Sequence, residues 1–370
     1  MKILITGISG FIGKNLKLKA KEEGINFLAL KRNSNLDKNK KKILDCDIVI
    51  HLAGINRTKK KIDFDKVNFL YTKKISNFFL RNKKKIHFIY ASSTQAASNS
   101  LYGKSKKKAE NFLKNFAKKN QSMVSIYRMP GIFGKWCKPN YNSFIATACH
   151  NIINNKTLKI FDGNKKLELI HIDDLINHIL KNIKKKFYEN NIYYPDFKNI
   201  VYKKSVNSII DKLKKFNSYK NDLKIEEVGL KFNRALYSTF ISHYKKKDFK
   251  EKLLAHSDSR GSFVEIMKTK SSGQFSYITI KPKQIRGNHY HHTKLEKFIV
   301  LRGKVKFNFK NVDTNKKFSL KVADKDHSVI TTVPGWSHNI ENISNIDSIL
   351  LIWANEVFDK KKIDTIRMSI

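Results

Sequence analysis

Through the first 130 residues, short apolar runs alternate with longer Lys-rich stretches. The runs fall at Lys2–Thr6, Asn26–Leu30, Asp47–His51, His87–Ala91 and Val124–Met129. The stretches between them carry amphipathic helical patterning. Strand–helix alternation at this spacing predicts a parallel, doubly wound sheet. Residues 131–235 lose the rhythm at Pro130, Gly134 and Pro139, and suit a substrate-binding lobe. Around Asn233–Lys252 the chain turns polar and charged. From His256 onward the apolar positions alternate with period two: F-S-Y-I-T-I-K-P, K-F-I-V-L-R-G, K-V-K-F-N-F, S-V-I-T-T-V-P and S-I-L-L-I-W. Many short strands with Gly and Pro turns predict a small β-barrel or sandwich. The expected plan is α/β plus all-β: residues 1–243, a linker at 244–252, and residues 253–370.

Composition changes this picture little. The 370 residues are 41% hydrophobic, enough for two ordinary cores. No apolar run approaches the roughly 20 residues that span a bilayer, and M-K-I-L-I-T-G reads as a first strand rather than a signal peptide. Three cysteines without a C-x-x-C pair (Cys46, Cys137, Cys149) suit a reducing cytoplasm. The net charge of +44 comes from lysine scattered along the whole chain together with asparagine. A specific nucleic-acid binder concentrates its cations on one face. The expectation is therefore compositional drift, no specific nucleic acid, and a field that attracts anionic substrates such as nucleotide diphosphates.

Gly7-Ile-Ser9-Gly10-Phe11-Ile12-Gly13 follows the first strand and opens a helix. Such a turn brings backbone N–H groups to a pyrophosphate. After the second strand stand Lys31 and Arg32, where an NAD binder carries an acid for the ribose 2′-hydroxyl. Cations there favour NADP, unless they only share in the general basicity. The third strand ends in His51-Leu52-Ala53-Gly54, small enough for close approach of a cofactor. Ser92-Ser93 ends the fourth, and Tyr102 and Lys106 follow on one helix face. A nearby ammonium lowers a phenol's pKa, so the tyrosine is expected to exchange protons with a substrate oxygen.

With Val67-Asn68, Y-R-M-P-G-I-F-G at 127–134 and H-I-D-D at 171–174, residues 1 to about 243 resemble an extended short-chain dehydrogenase/reductase acting on nucleotide sugars. The resemblance implies a Rossmann fold with Tyr102 as acid/base. It makes Lys106 the residue that orients the nicotinamide ribose and tunes the tyrosine, and Ser93 the partner of the reacting oxygen. Gly7, Ser9, Gly10, Phe11, Ile12, Gly13, Lys31, Arg32, Leu52, Ala53, Gly54, Asn68, Lys106 and Arg128 are its expected cofactor contacts. Arg128 and the 132–142 loop with Asn140 would lie near the substrate. The 4,6-dehydratases of this family carry an acid pair just after the serine; Gln95 and Ala96 stand there instead. A 4-keto reductase or a 4-epimerase remains.

In the C-terminal part His289 and His291 share a strand face, Glu296 follows, and His338 lies in P-G-W-S-H-N-I-E-N. Three imidazoles and a carboxylate suit a divalent transition metal. The spacing His289-x-His291-x4-Glu296-x6-Gly303, with Pro334-Gly335-x2-His338-x3-Asn342, resembles the cupin family. Asp258-Ser-Arg260-Gly-Ser-Phe-Val-Glu265 and Arg286-Gly-Asn-His289-Tyr290 also resemble the deoxysugar 3,5-epimerases of the RmlC type. There the histidine is a base, and Arg260, Arg286 and Tyr290 would meet substrate. A metal-bound His289 has no free lone pair, so the base would then come from Tyr290, His292, Lys297 or Glu265, and the metal is either a Lewis acid or structural. The pairing resembles bifunctional capsular polysaccharide enzymes. That resemblance implies NADPH, zinc, a homodimer, a UDP-linked 4-keto deoxy amino sugar as substrate, and UDP-2-acetamido-2,6-dideoxy-L-talose as product. The other reading is a 4-epimerase with a non-catalytic cupin dimerisation module.

Overall fold

The computed structural model describes residues 2–183, 192–357 and 364–370. They divide into two compact units: Met1–Leu213 with Ala235–Tyr244, and Lys214–Arg234 with Lys245–Ile370. The final crossing, at Tyr244–Lys245, enters the stretch expected as a linker. The earlier excursion of 214–234 had no counterpart in the sequence reading. It follows from strand pairing: Lys224–Ile225 lies parallel to Lys268–Thr269.

The first unit is built on a parallel sheet in the order Phe27–Leu30, Ile3–Thr6, Ile48–His51, His87–Ser93, Met123–Met129, Ile192–Tyr193. The five strands read from the sequence all lie in it. Their apolar side chains serve both faces: Leu4, Val49, Phe88 and Val124 pack on one side, Ile3, Ile5, Ile48, Ile50 and Ile89 on the other. The path runs from the first strand out to the second, then back past the first to the third. Strand order therefore reverses between Ile3–Thr6 and Ile48–His51, the place where doubly wound sheets open a ligand crevice. The lobe after Pro130 contains a small sheet of Gly131–Phe133, Lys166–His171 and Val201–Ser205.

The second unit has two sheets. One runs Lys224–Ile225, Gly261–Thr269, Gln274–Ile280, Ser348–Ala354, Glu296–Arg302, Val329–Thr331, with Ala255–Asp258 paired to Gly261–Thr269. The other runs Lys317–Ala323, Lys304–Asn311, Trp336–Asn342, Ile285–Tyr290, Ile366–Arg367. Their inner faces enclose Ile278, Ile280, Phe298, Val300, Val305, Phe307, Phe309, Ile340, Leu350 and Ile352. This is the cupin barrel. Among the described residues no helix is long and apolar enough to cross a membrane.

Candidate functional site

At the crevice of the first unit, the backbone is too close for side chains. A Cβ on Gly7, whose φ is +70°, would sit 2.6 Å from the Ala53 nitrogen, and one on Gly13 would sit 2.3 Å from the Gly7 oxygen. The helix Phe11–Glu22 that starts here has no side-chain cap and no acid in its first turn. Its first N–H groups are left for an anion, which fits a dinucleotide pyrophosphate. Asn68 staples the neighbouring wall: its Nδ2 donates to the Ile55 carbonyl at 2.9 Å and to Ser105 Oγ at 3.0 Å, and its Oδ1 accepts the Ile55 N–H at 2.9 Å. Lys31 and Arg32 are exposed just past Phe27–Leu30, Ser9 is exposed, and Phe11, Ile12 and Leu52 are half-buried.

The helix Leu101–Asn120 begins at Ser100, whose hydroxyl accepts the Gly103 N–H. A Cβ on Gly103 would lie 2.2 Å from the Gln95 oxygen. Glycine there lets the helix press against the turn Thr94–Ala97 that follows Ser93. Burial pushes the Tyr102 phenol up and the Ser93 hydrogen bond pulls it down, and burial wins. This corrects the expectation of a lowered pKa. Lys106 Nζ lies 6.0 Å from the centre of the Tyr102 ring and donates to the Ala91 carbonyl at 2.7 Å. Its own pKa falls to about 8 through burial, partly offset by Glu110.

Arg128 is tied to a buried acid through two of its nitrogens, with its side chain still 35% exposed. Its Nε and Nη2 hold the buried Glu110 carboxylate at 3.0 and 2.6 Å, and Ser92 donates to the same carboxylate at 2.6 Å. Asn140 is exposed, and its carbonyl accepts from Arg57 at 3.0 Å. Exposed Trp136 and Tyr141 flank it on the same loop.

In the second unit the four expected ligands converge. His289 and His338 are direct cross-strand partners, and Glu296 comes from the facing sheet. Glu296 Oε2 lies 3.9, 3.4 and 3.3 Å from the Nε2 atoms of His289, His291 and His338. One ligand atom from each falls within 4.8 Å of all the others. His291 Nε2 is buried without a hydrogen bond, as a metal ligand's donor atom must be. Burial would raise Glu296, but the three imidazoles and Lys294 hold it well below the carboxylate range. Burial keeps His338 below its ordinary value, hence neutral and able to ligate. The donor set fits zinc. Lys294, whose Nζ is 3.1 Å from Glu296 Oε1, is a neighbour that the sequence reading passed over.

Arg260 and Arg286 are drawn together by Asp258, which accepts from their Nη2 atoms at 2.6 and 3.0 Å. Arg286 Nε is buried without a partner, so the guanidinium retains a donor. Among the four base candidates, Lys297 alternates to the face opposite Glu296 and Phe298 and bonds Thr331. Glu265 pairs with Lys268 at 2.8 Å. Tyr290 and His292 stand ring to ring at 5.5 Å.

Two family profiles match these units: the NAD dependent epimerase/dehydratase family over residues 3–193, and the polysaccharide biosynthesis C-terminal domain over 256–366. The chain belongs to the NAD dependent epimerase/dehydratase family, in its CapF form. The crystal structure of the capsular polysaccharide assembling protein CapF from Staphylococcus aureus superposes with a TM-score of 0.89, at 36% identity and with all of both chains covered. CapF with the inhibitor 3-isopropenyl-tropolone gives 0.86 at 34% identity, again over all of both chains. A UDP-2-acetamido-2,6-beta-L-arabino-hexul-4-ose reductase of Pseudomonas aeruginosa is 37% identical over 371 residues, covering 100% of this chain and 99% of the relative.

Proposed function

We propose that this chain is a bifunctional UDP-sugar enzyme of capsular polysaccharide biosynthesis. The cupin inverts C3 of a UDP-2-acetamido-2,6-dideoxy-4-hexulose. The N-terminal unit then reduces the C4 ketone to UDP-2-acetamido-2,6-dideoxy-L-talose, on the route to UDP-N-acetyl-L-fucosamine. The observation that carries the reductase half is Tyr102 on Ser93 beside Lys106, with Gln95 and Ala96 in place of a dehydration pair.

In this reading NADPH supplies the hydride, and zinc in the cupin supplies either Lewis acidity or a structural tie. Ser93 and Tyr102 grip the carbonyl oxygen, and Tyr102 delivers the proton. Lys106 keeps a positive charge beside the tyrosine. Lys31 and Arg32 favour NADPH through the 2′-phosphate. His289, His291, Glu296 and His338 hold the metal. Arg260 and Arg286 bind substrate oxygens, the latter with its unpartnered Nε. A cytoplasmic site is supported by three unpaired, buried cysteines, and a homodimer follows from the sequence resemblance.

Incubation with a UDP-4-keto-6-deoxy-HexNAc in deuterated water, read by NMR, tests this. Deuterium at C3 without NADPH, and stoichiometric loss of NADPH when it is added, are expected. Reduction without C3 exchange would refute the cupin's role. Turnover without net NADPH loss would favour the 4-epimerase.

A further inference from the structure

We propose that the C-terminal segment Asp364–Met368 is part of the metal centre, and that Asp364 is the positioning residue for His291 and for the turn leading to Glu296. This rests on the metal reading above. The Asp364 carboxylate faces the turn between the strands Ile285–Tyr290 and Glu296–Arg302. Its Oδ1 accepts the His292 N–H at 2.8 Å, and its Oδ2 accepts the N–H groups of Thr293 and Lys294 at 2.8 and 2.9 Å. The Thr293 hydroxyl adds a bond at 3.1 Å. Three consecutive N–H groups on one carboxylate fix the path of the chain between His291 and Glu296.

The same residue orients a ligand directly. His291 Nδ1 bonds the Asp364 carbonyl oxygen. A carbonyl can only accept, so Nδ1 carries the proton. The lone pair is then on Nε2, the atom facing Glu296. Downstream, Ile366–Arg367 pairs antiparallel with His289–Tyr290, with Arg367 opposite His289. The Met368 N–H donates to the Asn288 carbonyl at 2.9 Å. Its carbonyl accepts the Ser337 hydroxyl at 2.6 Å, one residue before His338. The segment therefore bonds each of the four ligands or the chain within two residues of it. An ordinary edge strand would account for the pairing at His289, but not for a carboxylate on three N–H groups and a carbonyl on an imidazole.

Loss of a group that orients a metal ligand typically weakens metal binding about 10–100-fold. Metal-free full-length protein is titrated with Zn²⁺ against a chromophoric chelator, as wild type and as Asp364→Ala. Asp364→Ala removes the carboxylate on the turn but keeps the backbone carbonyl that holds His291 Nδ1. It is therefore expected to bind toward the low end, about 10-fold more weakly, and Asp364→Asn, which keeps one acceptor oxygen, to fall between. Equal affinity in Asp364→Ala with an unchanged unfolding midpoint of the metal-free protein would overturn the proposal. Should Asp364→Ala not fold, Asp364→Asn and the ring ¹⁵N shifts of His291 in metal-free wild type decide. A proton on Nδ1 is expected, and a proton on Nε2 overturns the proposal. Wild type that takes up no Zn²⁺ refutes the metal reading instead, and the ring shifts still judge the positioning.

Discussion

Replacing Glu110 by glutamine is expected to weaken the N-terminal unit in two measurable ways. The carboxylate is fully buried and accepts three hydrogen bonds: Ser92 Oγ and Arg128 Nε on one oxygen, Arg128 Nη2 on the other. Removing one member of a buried ion pair costs about 3–5 kcal/mol, because the other charge is left unpaired. The Arg128 side chain keeps 35% of its exposure, so water recovers part of that cost. The low end, about 3 kcal/mol, is expected in urea unfolding. Glu110→Gln with Arg128→Met, which leaves no orphaned charge, should be less destabilised than Glu110→Gln alone. The second effect is on Lys106. Burial has already brought its pKa down to about 8, and Glu110 is the group holding it up. Without that carboxylate the pKa falls further, the ammonium is lost at lower pH, and the basic limb of the kcat/KM profile moves to lower pH. A loss under about 0.5 kcal/mol together with an unmoved basic limb would refute this account of the charge balance.

Tyr102→Phe should lower kcat for reduction by about 10²–10⁴-fold while leaving C3 deuterium exchange intact; NADPH oxidation at the wild-type rate would remove Tyr102 from the mechanism. Gly13→Ala places a Cβ 2.3 Å from the Gly7 oxygen and 2.6 Å from Ile8 Cα. The expected cost is about 1–3 kcal/mol, with weaker NADPH binding in a fluorescence titration. His338→Ala removes a buried ligand, so elemental analysis should find the metal lost and the second unit should unfold at lower urea; a full metal complement would reject the ligand set.

Much of the architecture was legible because it rests on short-range pattern. Continuous apolar runs marked the strands of the parallel sheet, since both of its faces are covered, and period-two alternation marked the barrel strands. The three imidazoles and Glu296 could be grouped because strand periodicity points His289 and His291 the same way. What was not legible depends on distance in the chain. Asp364 lies 73 residues from His291, and nothing local says that a tail will cap the turn before Glu296. The excursion of 214–234 hangs on a two-residue strand whose partner is at Lys268–Thr269. Glu110 was within reach: it sits four residues after Lys106 and so on the same helix face. Only the fold shows that its partner is Arg128, read from sequence as a ligand contact.

The correction at Tyr102 bears on the direction of the chemistry. Reduction of a ketone ends with a proton delivered to the oxygen, so its donor must hold a proton when the substrate arrives. A phenol raised by burial is protonated at neutral pH, the state that the proposed reduction requires of its proton donor. In the proposed function the cupin has the complementary requirement. Inversion at C3 depends on the acidity that the C4 ketone confers, and reduction removes that ketone. Epimerisation must therefore precede reduction on the same molecule, and the product then has no carbonyl through which the C3 centre could revert. Under that proposal two sites on one polypeptide make sense in that order: one would use the ketone to set a stereocentre, and the other would consume the ketone to keep it.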